Sequence, residues 1–282
     1  MTIMKDSSAK DDLYQSMREQ IDPFAFDDAV TGVFPDMIRR SIPGYQTIVD
    51  MTGLIAAQWL RPTTRCYDLG CSVGATTASI LKAIGNRECE IVAIDSSAPM
   101  IKTASANVDD PRVSFEHADI RDLRYRNASF VVSNFTLQFL PPEDRFPFLR
   151  NIHDGLTRDG VFLVSEKIDD DEEFAELHVE FKRDNGYSEL EISQKRTSLE
   201  NVMKIDSQDV ILARLNDAGL AIAVSGFDAS TGSRSSLLLS SWVPHNISRI
   251  HGEAKVSIFR SKTSITAICP VGSRPLIHCP TP

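Results

Sequence analysis

The stretch Tyr67-Asp68-Leu69-Gly70-Cys71-Ser72-Val73-Gly74 decides the fold. Arg65 to Leu69 reads as a short buried strand and Ala75 to Ile84 as a helix, so residues 70–74 form the turn between them. Gly70 lets the backbone turn tightly and approach a ligand, and Gly74 permits close packing where the helix begins. The backbone N–H groups of such a turn are expected to point, unpaired, at whatever binds there. The spacing is D-x-G-x-x-x-G rather than G-x-G-x-x-G, which argues against a dinucleotide pyrophosphate. An ordinary glycine-containing turn is the alternative reading.

Outward from this turn, strands and helices alternate. Glu90 to Asp95, Arg112 to Glu116, Ala128 to Asn134 and Gly160 to Glu166 read as further strands. Pro99 to Asn107, capped by Ser97, and Pro142 to Leu156, with an apolar stripe at Phe146, Leu149 and Ile152, read as helices. Such alternation specifies a doubly wound α/β fold, because parallel strands need crossover helices that bury both faces of the sheet. Past Glu166 the rhythm breaks. Asp170 to Tyr187 and Glu189 to Val202 predict an inserted helical pair, about residues 167–205, able to roof a site, and Ser207 to Ala218 predicts one more helix. Weaker strand signals at Ala221 to Ser225 and Ser236 to Ser240 would complete the sheet.

Ligands of such sheets bind beyond the carboxyl ends of the strands, which singles out Asp68, Asp95, Asp119 and Asn134. Asp95, about half a βαβ unit after the glycine turn, is placed to accept hydrogen bonds from both hydroxyls of a ribose; a carboxylate at a helix N-terminus is the other reading. Asp119 with Ile120 would flank an adenine, or close a local Asx turn. Asn134, followed by Phe135, would face a ligand with an aromatic ring suited to a cation, or satisfy loop backbone.

Composition narrows the function. The chain has 282 residues, 42% hydrophobic and 24% charged, as expected of one large globular domain. No apolar run reaches membrane-spanning length and the N-terminal residues are polar, so a cytoplasmic protein without membrane contact is expected. Five cysteines without a C-x-x-C pair predict free thiols, and six histidines without an i, i+4 pair predict no metal site. The acidic run at residues 169–173 reads as first-turn helix charge rather than a cation site. A net charge of -9 disfavours direct nucleic-acid binding, and the basic residues Lys182, Arg183, Lys195 and Arg196 lack the aromatic interleaving of an RNA site. We divide the chain into a flexible segment 1–23, a domain 24–241 and an atypical basic tail 242–282, for which disorder is one reading. The tail carries +4, leaving -13 on the rest.

Other segments are more specific. These are residues 26–45, with Val33-Phe34-Pro35-Asp36-Met37-Ile38-Arg39-Arg40-Ser41-Ile42-Pro43-Gly44-Tyr45; the loop at 68–72; Asn134 to Leu140; and Gly186-Tyr187-Ser188-Glu189-Leu190-Glu191-Ile192-Ser193-Gln194-Lys195-Arg196. Together they closely resemble the carboxy-S-adenosylmethionine synthases over roughly residues 24–220. The glycine turn also resembles the nucleoside loop of S-adenosylmethionine enzymes generally, with Ser72 in place of a common glycine. The resemblance implies a Rossmann-like, mostly parallel seven-stranded methyltransferase sheet. It also implies a homodimer that converts S-adenosylmethionine and prephenate to the carboxylated cofactor and phenylpyruvate, without a metal. The product would pass to a separate tRNA-modifying enzyme. Carried over by position, the cofactor contacts fall on Tyr45, Gly70, Cys71, Ser72, Asp95, Ser96, Asp119, Ile120 and Asn134. Arg196 would bind the new carboxylate and serve as the catalytic cation, a role that suits the planar guanidinium fork. Ser96 departs from the asparagine associated with the family. A conventional methyltransferase, or a non-catalytic binding partner of a tRNA-modifying enzyme, are the competing readings.

Overall fold

The computed structural model describes residues 9–168, 172–220, 259–261 and 264–270. In chain order the elements begin with helices α1 (Asp28–Ser41) and α2 (Tyr45–Trp59). Then β1 (Arg65–Leu69), α3 (Ala75–Ile84), β2 (Glu90–Asp95), α4 (Ala98–Asn107), β3 (Val113–His117) and β4 (Ala128–Asn134) alternate. α5 (Pro142–Gly155) and β5 (Leu156–Lys167) follow, then the helices α6 (Glu172–Asp184), α7 (Glu189–Leu199) and α8 (Gln208–Asp217). Two short strands, β6 (Phe259–Ser261) and β7 (Ser264–Pro270), come last.

The strands lie in the order β3-β2-β1-β4-β5-β7-β6. The first five are parallel, and β7 joins β5 antiparallel. Successive crossovers step outward one way from β1 to β3 and the other way from β4 to β5, so the switch point lies between the carboxyl ends of β1 and β4. Alternation along β1 sets the two cores. Tyr67 and Leu69 pack on one face with Val131, Phe148 and Ile152, while Cys66 packs on the other with Ile55, Ile80 and Phe130.

The expected doubly wound α/β architecture and the inserted helical pair are both present. Three details differ from expectation. On α5 the buried stripe is Phe148, Leu149 and Ile152, and Phe146 is exposed, because Arg145 turns inward to reach Asp206 and sets the helix rotation. The N-terminal segment expected to be flexible is fastened from Asp11 onward, first to Asp36 of α1 and then across α7. Gln194 accepts from Arg18 N and donates to the carbonyls of Tyr14 and Ser16, and Phe24 N donates to Ser198 O. The strands β6 and β7 come from the stretch that composition sets apart, whereas the strands expected at 221–225 and 236–240 lie outside the described residues.

The helices α1 and α2 have no counterpart in the periodicity reading. α1 is capped by Asp27, whose side chain accepts from Val30 N, and its apolar residues Val30, Val33, Phe34 and Met37 bury against Val73 and Met100. This lays α1 against the glycine turn and α4, closing one side of the switch point.

Candidate active site

A cavity of about 360 Å³ opens at the switch point, of the size that encloses a small organic ligand. Tyr45, Gly70, Ser72, Asp95, Ser96, Asp119, Ile120 and Asn134 all line it, so these eight expected residues converge from five different segments. Cys71 is buried beside them without reaching the cavity, and Arg196 is exposed on α7 and does not line it. Asp68 is buried, accepts from Thr77 Oγ1 at 2.6 Å, and is pushed up to about 7 by burial. Its place is structural.

The glycine turn is built differently from expectation. Gly70 N and Cys71 N both donate to Ile94 O (2.9 and 3.0 Å), Gly74 N donates to Cys71 O, and Ser72 N donates to Asp95 Oδ2 at 2.9 Å. Three of these N–H groups hold the turn against β2 and the fourth closes it on itself, so they are not free to cradle a phosphate. The same fact fits a nucleoside, which is read through hydroxyl and ring contacts and needs no anion nest. Ser72 sits at φ +46, in the left-handed region, which explains why glycine suits this position.

Asp95 is held by two backbone N–H groups. Oδ1 accepts from Ser97 N and Oδ2 from Ser72 N, and the carboxylate still faces the cavity with lone pairs to spare for a diol. Burial raises its pKa, and the two N–H donors pull the other way. Asp119 closes the Asx turn, with Arg121 N donating to Oδ1 and the Arg121 guanidinium gripping both oxygens, and it also lines the cavity. That hydrogen bonding holds Asp119 below the usual carboxylate range. Asn134 donates through Nδ2 to Thr52 and Thr76, while its Oδ1 is buried with no partner, an acceptor able to take a ligand N–H.

Beside Asn134, Phe135 adopts φ +60, a conformation that a bulky residue takes only when its surroundings force it. The forcing group is Glu166, at the end of β5. Its carboxylate accepts from Thr136 N, Leu137 N and Gln138 N at 2.9–3.1 Å, and Phe135 N donates to Ser165 O. Burial pushes Glu166 up to about 8 against the pull of these N–H groups and Arg145. The result fixes the Phe135 ring, 6.4 Å from that of Tyr45, at the cavity wall. The sequence carried no local sign of Glu166, because its partners lie about thirty residues away.

The chain matches the family described as a methyltransferase domain over residues 67–160. The carboxy-S-adenosyl-L-methionine synthase of Shewanella oneidensis is 48% identical over 224 residues, covering 76% of this chain and 92% of that protein. The enzyme of the same name from Shewanella sediminis is 47% identical over 222 residues, covering 76% and 91%. The chain belongs to the carboxy-S-adenosyl-L-methionine synthase family. Among solved structures, the magnesium protoporphyrin IX methyltransferase of Synechocystis with bound SAH superposes with a TM-score of 0.53 at 14% identity, covering 84% of this chain and 87% of that one. Human N-acetylserotonin methyltransferase in complex with SAM gives 0.52 at 11%, covering 87% and 56%. These two likenesses show the fold that the synthase family shares with S-adenosylmethionine-dependent methyltransferases.

In this member of the synthase family, the cavity also has a cationic lining. Lys167 from β5, His178 and Lys182 from α6, and Lys195 from α7 line it. The basic residues grouped in the sequence therefore divide. Lys182 and Lys195 line the cavity, while Arg183 faces out to pair with Glu180 and Glu189. No helix among the described residues is long and apolar enough to cross a membrane.

Proposed function

We propose that the chain makes carboxy-S-adenosyl-L-methionine from S-adenosyl-L-methionine and prephenate, releasing phenylpyruvate and water. The observation that carries this reading is one cavity lined by two sets of residues: Tyr45, Asp95, Asp119 and Asn134 at the switch point, and Lys167, Lys182 and Lys195 beside the inserted helices. A conventional methyltransferase has no need of the second.

When bound, S-adenosylmethionine supplies a methyl group acidified by the adjacent sulfonium, to which the carboxyl group lost from prephenate is transferred. The protein's part is positional. Asp95 holds the ribose end, the buried Oδ1 of Asn134 accepts from the ligand's ammonium, and the Tyr45 and Phe135 rings face its positive centre. Phe24, Phe26, Phe34 and Phe139 give an apolar wall that keeps water from the transferring carboxyl group. The hydroxide that leaves prephenate balances the methyl proton as water.

Arg196 is proposed as the cation that holds the new carboxylate. It follows Lys195 on α7, and its charge is felt by both His178 and Lys182. Its exposure in the single chain calls for closure over bound ligand or for a second copy, in keeping with a homodimer. The proposed setting is the cytoplasm, with the product passed to a separate tRNA-modifying enzyme. The test is mass spectrometry of the nucleoside product after incubation with S-adenosylmethionine and prephenate. The carboxylated cofactor is expected; S-adenosylhomocysteine with prephenate untouched would establish the methyltransferase alternative. Arg196→Ala should keep cofactor binding and lose carboxylated product, and retained product formation would remove Arg196 from this role.

A further inference from the structure

Two lysines and a histidine of the inserted helices, His178, Lys182 and Lys195, line the cavity together with Lys167 of β5. Lys182 lies one helical turn beyond His178, on the same face of α6. Among the described residues, the charged groups that bear on Lys182 are Lys167, Lys195 and Arg196, all of like sign, and it has no carboxylate partner. His178 donates through Nε2 to Ser41 O at 2.7 Å. Burial and the neighbouring cations hold it down to about 4, so at neutral pH it is an uncharged ring with Nδ1 unprotonated.

Lys195 is better served. Its Nζ reaches Ser41 Oγ at 3.2 Å and Asp11 Oδ2 at 3.6 Å, and it lies over the Tyr187 ring. That carboxylate is shared, since Tyr187 Oη donates to the same Asp11 oxygen and the Arg40 cation also bears on Lys195. Among the described residues Lys182 thus meets only like charges and Lys195 shares its one carboxylate, so an anion entering between them would be favoured.

We propose that Lys182 and Lys195 form a carboxylate subsite that anchors the second substrate, a carboxylic acid, by the carboxylate it keeps through the reaction. This rests on the reading of the cavity as that of a carboxyl-transferring enzyme, and it leaves Arg196 for the carboxylate that is transferred. The two lysines come from the two inserted helices, so the insertion acts as a substrate clamp as well as a roof. Burial, with Lys167, Lys195 and Arg196, lowers Lys182 to about 7, and burial lowers Lys195 to about 8 against the pull of Asp11. The clamp is therefore cationic below neutrality and loses charge just above it. His178 stays neutral throughout and adds no charge.

The test uses the full chain, wild type and Lys182→Met, Lys195→Met and Lys182→Arg. Calorimetry would give the Kd for S-adenosylmethionine, and then the Kd for phenylpyruvate on the loaded protein. Product mass spectrometry would give KM for prephenate. For Lys182→Met and Lys195→Met, the Kd for phenylpyruvate and the KM for prephenate should rise about tenfold or more. The Kd for S-adenosylmethionine should stay within about twofold, which also shows that the fold survives. Lys182→Arg should recover part of the loss, and in Lys182→Met the fall in kcat/KM above neutral pH should move up from about 7 toward about 8, where Lys195 alone loses its charge. If both methionine variants keep wild-type KM and Kd, or wild type binds no phenylpyruvate, the subsite is wrong. If wild type binds phenylpyruvate through Lys182 yet makes no carboxylated product, the subsite stands and the carboxyl-transfer reading falls.

Discussion

Gly70→Ala probes the turn that defines the site. Gly70 has φ +73, and a Cβ there would lie 2.3 Å from Thr136 Oγ1, 2.8 Å from Thr136 Cγ2 and 3.1 Å from Thr136 Cβ. Thr136 has little freedom to give way. Its Oγ1 donates to Leu69 O at 3.0 Å and its N–H to Glu166 at 3.0 Å. The left-handed backbone costs an alanine about 1–2 kcal/mol. Forcing a methyl into packed structure adds about 1–3 kcal/mol, and the stiffer unfolded chain returns about 0.4–1 kcal/mol. The expected loss of stability is about 1–5 kcal/mol, read by urea unfolding. Binding of S-adenosylmethionine should weaken as well, because displacing Thr136 moves Phe135. Thr136→Ala removes the two nearest atoms, so the double variant should be less destabilised than the sum of the singles, with the backbone term remaining. A single variant within about 0.5 kcal/mol of wild type, or strict additivity in the double, would refute the clash as the cause.

Three further outcomes are expected. Asp95→Asn sets an NH2 against either Ser72 N or Ser97 N, so S-adenosylmethionine affinity should fall by about 1–3 kcal/mol, measured by calorimetry; unchanged affinity would separate Asp95 from the ribose. Glu166→Ala leaves three N–H groups without their acceptor and should cost about 3 kcal/mol or more, with loss of cofactor binding through Phe135; a fully active, equally stable variant would contradict this. Lys182 is lowered from 10.5 to about 7 on folding, so its charge penalises the fold fully below neutrality and ever less as pH rises toward its unfolded value. Lys182→Met should therefore raise the melting temperature, more at about pH 6 than at about pH 10; a lower melting temperature would show that Lys182 is a structural cation.

The sequence by itself determined the parallel α/β sheet, the strand ends and most of the switch-point lining of the cavity. Those signals are local: a strand of five residues, a glycine turn, a carboxylate one half-unit on. The elements read from them coincide with β1, β2, β4 and α3 to the residue, and Ser97 caps α4 as expected. Tertiary structure decided what depends on contacts between distant residues. No periodicity shows that Glu166 will hold the backbone at 136–138, or that Ile94 will absorb the N–H groups of the glycine turn. Nor does spacing alone sort Lys182 and Lys195 into the cavity and Arg183 and Arg196 out of it. That division follows from how α6 and α7 are rotated against the sheet, which is fixed by packing across the whole domain.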